Sequence, residues 1–189
     1  MPTIPCMTKH AWTFLLSCLS MAAMQAAYGQ HEQLIGESVR LSGQGRYAQA
    51  AETAEQALKS AEEKLGPEDP VVATALNNLA EFQQMAAFVS RDPAAIAKAV
   101  ETAEPLQKRA LAIRERTLGV RHSFTLASMI NLARTYSLQR RYDDAEALYR
   151  RVQGILNDIA QRPPVLADLE RQAAAGLSQI EKARASRQP

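Results

Sequence analysis

The sequence predicts an all-α fold: a right-handed solenoid of helical hairpins, about three units long, closed by a C-terminal capping helix. Three observations predict it. Apolar residues recur at helical spacing, in Ala50, Ala54, Ala57, Leu58 and Ala61 and again in Val72, Leu76, Leu79 and Phe82. Aromatics are only 5% of the 189 residues, and a chain rich in alanine and short aliphatics packs better as helices than as strands. The chain also repeats itself. Ala57-Leu58 with Leu65-Gly66 returns as Ala110-Leu111 with Leu118-Gly119, and Asn78-Leu79-Ala80 returns as Asn131-Leu132-Ala133, both after 53 residues. Tyr47-Ala48-Gln49-Ala50 returns as Tyr142-Asp143-Asp144-Ala145 after 95 residues, so the period is 42 and one copy is longer by 11.

Residues 1–29 form a leader of different composition. Lys9 and His10 precede an apolar run from Ala11 to Met24, and no acidic residue occurs before Glu32. A basic start, a short apolar run and a small-residue exit describe a secretory signal peptide. Ala27-Tyr28-Gly29 favours cleavage before Gln30, with Ala27 as the alternative exit, and Met7 offers a second start. Retention as an anchor stays open, although the run falls short of the ~20 residues of a spanning helix. A lipoprotein box at Leu15-Leu16-Ser17-Cys18 stays open too. Cleavage makes the protein exported, periplasmic or secreted, and removes Cys6, Cys18 and Trp12. The remaining chain then has no disulfide, thiolate metal site or cysteine nucleophile.

Residues 30–160 hold the repeats. Asp69-Pro70 and Asp92-Pro93 place a capping carboxylate before a proline at a helix start. Gly66 and Gly119 stand where a helix end needs a left-handed residue. One hairpin cannot bury its apolar face, but stacked hairpins can. Together, Leu65-Gly66-Pro67-Glu68-Asp69-Pro70, Ala75-Leu76-Asn77-Asn78-Leu79-Ala80, Ala103-Glu104-Pro105-Leu106 and Arg109-Ala110-Leu111-Ala112-Ile113-Arg114-Glu115 resemble the tetratricopeptide repeat (TPR) family in its kinesin-light-chain-like version, with repeats of about 42 residues. The resemblance runs from about Gln33 to Leu156. The first unit departs from it by lacking the Asn-Leu-Ala core, and the third by carrying Val120-Arg121-His122-Ser123 in place of the acidic-proline link.

The second unit carries the extra residues, near 90–100. Eleven residues make about three helical turns, which preserves the buried face. A short helix from Pro93 is expected, then a break or bend before Pro105, because an interior proline costs ~3 kcal/mol. Residues 161–189 form the cap: Pro163-Pro164 mark a joint, and Leu166, Leu169, Ala173, Leu177 and Ile180 follow a helical stripe. From Ala185 the tail is expected to fray.

No catalytic constellation stands out. Glu62-Glu63 and Asp143-Asp144 are adjacent on a helix or turn and do not converge on one substrate. His31 and His122 have no metal-ligand spacing around them. There is no nucleophile elbow and no glycine-rich loop after a strand. The chain therefore reads as noncatalytic, without metal or cofactor, and a partner protein or peptide of unknown identity is expected. The resemblance implies a concave groove lined by the first helix of each unit. In it Asn78 and Asn131 would offer an amide donor and acceptor to a peptide backbone, beside Glu81 and Arg134 and flanked by Thr74 and Ser137. Phe82, Thr135, Met85 and Leu138 follow on the same helices but are not assigned to that face, and no aromatic anchor is evident.

Charge is unevenly spread under a net +2. Residues 30–104 carry six basic and twelve acidic side chains, and residues 105–189 carry fifteen and eight. Beyond a solvated rim, the basic half could steer an acidic partner or a second copy head to tail. Nucleic acid is excluded as a partner: the processed chain has no Trp and no basic run interleaved with aromatics. Two alternatives to an exported scaffold stand: a membrane-anchored assembly factor that keeps its leader, and a small-ligand carrier or enzyme that uses the insert near Asp92 as a lid.

Overall fold

Three helix starts are fixed by a side chain that the sequence supplies. Asp69 Oδ1 accepts from the Val71 N–H at 2.8 Å and Asp92 Oδ1 from the Ala94 N–H at 3.0 Å, with Pro70 and Pro93 in the first turn. Where the third unit lacks the acidic-proline link, the imidazole takes over: His122 Nδ1 accepts from the Phe124 N–H at 3.2 Å. These caps satisfy amides that a helix start leaves without partners.

The computed structural model describes residues 29–159 and 163–186, so nearly all of the expected leader lies outside the described residues, as does the end of the tail. Among the described residues there are seven helices and no strand. Helix α1 runs over 29–43, followed by α2 (Tyr47–Leu65), α3 (Pro70–Ser90), α4 (Pro93–Thr117), α5 (Ser123–Leu138), α6 (Tyr142–Asn157) and α7 (Pro164–Ala185). From α2 onward each helix packs on the next in chain order, and α5 also meets α7. The result is an all-α solenoid of hairpins, in which α1–α2, α3–α4 and α5–α6 are the units and α7 follows as a lone helix.

Hairpin tips reuse one backbone geometry. Gly45, Arg91 and Arg140 at the three tips have φ of 76°, 57° and 60°. At the opposite ends Gly66 and Gly119 have φ of 88° and 82°, which an L side chain adopts only under strain.

The extra length of the second unit differs from the sequence expectation. It is not a separate short helix. By the 53-residue shift, the end of α5 at Leu138 corresponds to Met85, five residues before α3 ends. By the 42-residue period, the start of α6 at Tyr142 corresponds to Val100, seven residues after α4 begins. Both helices of the hairpin are therefore prolonged, and its tip overhangs its neighbour. Nor does α4 break: it is continuous through Pro105. Buried Ala99, Val100 and Ala103 on one side of the proline, and Gln107, Ala110 and Leu111 on the other, pin both flanks to neighbouring helices, while Pro105 itself faces solvent. Tertiary burial outweighs the single lost backbone bond.

Among the described residues the apolar core falls into three clusters. One joins Leu41, Ala50, Ala54, Leu79 and Phe82, and a second joins Ala61, Val72, Ala73, Leu76, Ala110 and Ile113; Leu58 and Leu106 pack against both. The third gathers α5, α6 and α7 around Leu126, Met129, Ile130, Tyr149, Leu156 and Ile180, with Leu111 as its contribution from α4. Helix α7 fits against α6 because residue 176 is glycine: a Cβ there would overlap the Tyr149 ring.

Candidate functional site

Helices α3, α5, α6 and α7 enclose a cleft of about 340 Å³. Helix α3 lends it Glu81, Gln84, Met85 and Phe88, and α5 lends Arg134, Ser137 and Leu138. Tyr142 and Tyr149 of α6 and Gln179, Ile180 and Ala183 of α7 complete the wall. Its lining is almost evenly divided between polar side chains (Glu81, Gln84, Arg134, Ser137 and Gln179) and apolar ones (Met85, Phe88, Leu138, Ile180 and Ala183).

Of the residues expected in a groove, Glu81, Arg134 and Ser137 line this cleft, whereas Asn78, Asn131 and Thr74 do not. Asn78 and Asn131 are half-buried, earlier on the same two helices. The Thr74 hydroxyl is already engaged: it accepts from Arg114 Nη2 at 3.0 Å and donates to the Pro70 carbonyl at 3.2 Å. Ser137 Oγ donates to the Ala133 carbonyl at 3.0 Å. Arg134 is exposed and has no ion-pair or hydrogen-bond partner among the described residues.

Other residues come from longer range. Met85 and Leu138, left unassigned by spacing, line the cleft, while Phe82 and Thr135 turn into the core. An aromatic does reach the cleft: Phe88, 38% exposed, sits on the prolonged part of α3 where the other units have no counterpart. Tyr149 is buried at the base, and its phenol is pushed above the ordinary tyrosine range by desolvation, against the charge of Arg134 and a hydrogen bond with Ser137. The contribution of α7 had one sequence signal, the Leu166–Ile180 stripe, but nothing local told which helices it would close over.

A charged clasp borders the cleft's unit. Glu104 of α4 accepts from Lys108 at 2.6 Å, from Gln139 at 3.0 Å and from Arg141 at 3.0 Å. Arg141 also lies over the Tyr136 ring at 4.1 Å. Lys108 above all, then Gln139 and Arg141, hold the Glu104 carboxyl down to about 2 against the opposing effect of burial.

At the insert a second, more open hollow is lined mainly by apolar side chains, Pro93, Ile96, Ala97, Val100 and Leu138, with Glu101 and Gln139, and the Asp92 carboxylate is engaged as a helix cap. Among the described residues no three His, Cys, Asp or Glu side chains gather as a metal site, and no helix is long and apolar enough to cross a membrane.

Comparison with known proteins places these features in a family. No curated protein matches the chain. Among solved structures, the chain is similar to the crystal structure of BtubC (BKLC) from P. vanneervenii, with a TM-score of 0.60 and 23% sequence identity, over 90% of this chain and 72% of that one. The likeness is one of fold. The tetratricopeptide repeat family matches residues 38–71 and 95–158, together just over half of the chain. With hairpins stacked in register around those two segments, the chain belongs to the tetratricopeptide repeat family.

Proposed function

We propose that this protein is an exported, noncatalytic scaffold that binds another protein through the cleft between α3, α5 and α7. TPR proteins generally act by protein–protein interaction. The observation that carries the reading is the cleft itself: exposed Phe88 and Leu138 beside Met85, next to the exposed Arg134. Apolar side chains left open around a cleft favour a partner that buries them. Export is supported by the composition of residues 1–29, a basic start and a short apolar run ending in small residues.

The test is capture of partners from the exported fraction by the wild-type protein, by Met85→Glu/Leu138→Glu and by Asn78→Ala/Asn131→Ala. Placing carboxylates in the cleft should abolish capture while the helical circular dichroism stays intact, and the asparagine pair should matter less. Undiminished capture by the glutamate variant removes the cleft from the proposal. The mass of the processed chain tests export separately: loss of about 29 residues fits cleavage, and a full-length mass fits an anchored assembly factor instead.

A further inference from the structure

We propose that the junction between the second and third units is a polar hinge, about which α1–α4 and α5–α7 move as two bodies. Apart from Leu111 of α4, which reaches into the cluster of α5–α7, the apolar clusters on its two sides are separate. Polar groups surround that single apolar bridge. Arg114, only 5% exposed, donates to Ser128 Oγ at 2.8 Å and to the Phe124 carbonyl at 3.0 Å from α4 into α5, and to Thr74 Oγ1 at 3.0 Å on α3. Among the described residues no carboxylate forms an ion pair with this guanidinium. From α3, Asn77 donates to Ser128 Oγ at 2.8 Å and Gln84 to Thr135 Oγ1 at 2.9 Å.

The repeat shows that this particular polar set does not recur at the equivalent positions. The positions equivalent to Arg114 are Ala61 in the first unit and Leu156 in the third, both buried. Ser128 corresponds to buried Ala75, and Asn77 to buried Ile130. At these equivalent positions the other units carry apolar residues and polar ones replace them here, although buried polar side chains also occur elsewhere, at His31, Ser38 and Gln107. Helices α3 and α5 also touch more sparsely than α5 and α7.

The polar set is incompletely satisfied. Asn77 Oδ1 and Arg114 Nε are buried without a partner. A buried polar atom with no partner costs free energy that water could repay. Opening the junction admits that water, whereas opening an apolar junction would expose hydrocarbon to it. Closed and open arrangements are therefore closer in free energy here than at either neighbouring junction. The cleft spans the hinge, with α3 on one side and α5 and α7 on the other, so its width follows the hinge angle. The hinge itself does not depend on the cleft being a partner site.

The experiment measures distance distributions between spin labels in the full chain carrying Cys6→Ser and Cys18→Ser. One pair spans the hinge, Gln56→Cys on α2 with Ala147→Cys on α6. Two pairs stay within a body, Gln56→Cys with Glu101→Cys and Ala147→Cys with Ala175→Cys. The spanning pair should give a distribution about twofold broader than the other two, as for motion about a hinge. Equal widths overturn the proposal with no further variant needed. Arg114→Leu/Ser128→Ala/Asn77→Ile installs the residues of the apolar junctions. It should narrow the spanning distribution to that of the control pairs, and a folded variant that stays as broad also overturns the proposal.

Discussion

A single methyl group distinguishes Gly176 from alanine, and the Tyr149 ring occupies the space it would need. Gly176→Ala is expected to cost about 1–3 kcal/mol, the usual range for overpacking a fitted core, seen as a lower melting temperature. Tyr149→Leu in the same chain should recover part of the loss. Glu104 makes a second prediction. Its folded carboxyl titrates at about 2, below the unfolded value. A depressed folded value stabilises above the unfolded range near pH ~4.3, and that stability is lost as the pH falls toward 2. Glu104→Gln should lower the melting temperature at pH 7 and flatten its dependence between about pH 4.5 and 2; an unchanged slope would falsify the clasp. At this scale the sequence was only partly legible. Glu81 and Arg134 could be placed by counting along a helix. Asn77, Ser128 and Arg114 could not, because their partners lie in other helices. One sign was nevertheless present: Arg114 interrupts an otherwise apolar stripe where the equivalent units have Ala61 and Leu156.

Among the elements, the hairpin tips are the most instructive. Gly45 and Arg140 are 95 residues apart, the same separation as Tyr47 and Tyr142, and both adopt a left-handed backbone. That conformation costs an ordinary L residue roughly 1–2 kcal/mol, part of which glycine gives back through its freer unfolded chain. Arg140→Gly should therefore stabilise the chain by up to about 1 kcal/mol, and denaturant melts will show it as a higher midpoint with an unchanged slope. The starts of α3 and α4 were legible because an aspartate before a proline has one local meaning. The continuity of α4 was not, since the burial that overrides Pro105 comes from neighbouring helices. The cap on α5 was missed for a related reason: His122 satisfies the Phe124 amide in a role that aspartate fills elsewhere.

Across the whole molecule, stacked hairpins make stability a matter of nearest neighbours. The near-division of the core between α1–α4 and α5–α7, bridged by Leu111 alone, predicts two levels of amide protection rather than one. Native-state hydrogen exchange should show α5, α6 and α7 opening together at one free energy, and α2, α3 and α4 at another. A single common level would remove the two-body description. The repeat period made the stacking order readable from sequence, because each copy needs its successor to cover it. The cleft was readable only on its α3 and α5 walls; closing it with α7 required knowing how far the lone helix reaches across its predecessors.

The prolonged α3–α4 hairpin has one more consequence. Chains built from look-alike segments risk pairing the wrong ones, either along one molecule or between two copies emerging side by side. Hairpins of equal length would slide past such errors unnoticed. The overlong middle one is a key cut for a single lock: only in its own place can its shaft be covered while its end stands clear, so mispaired arrangements leave grease in water and unravel.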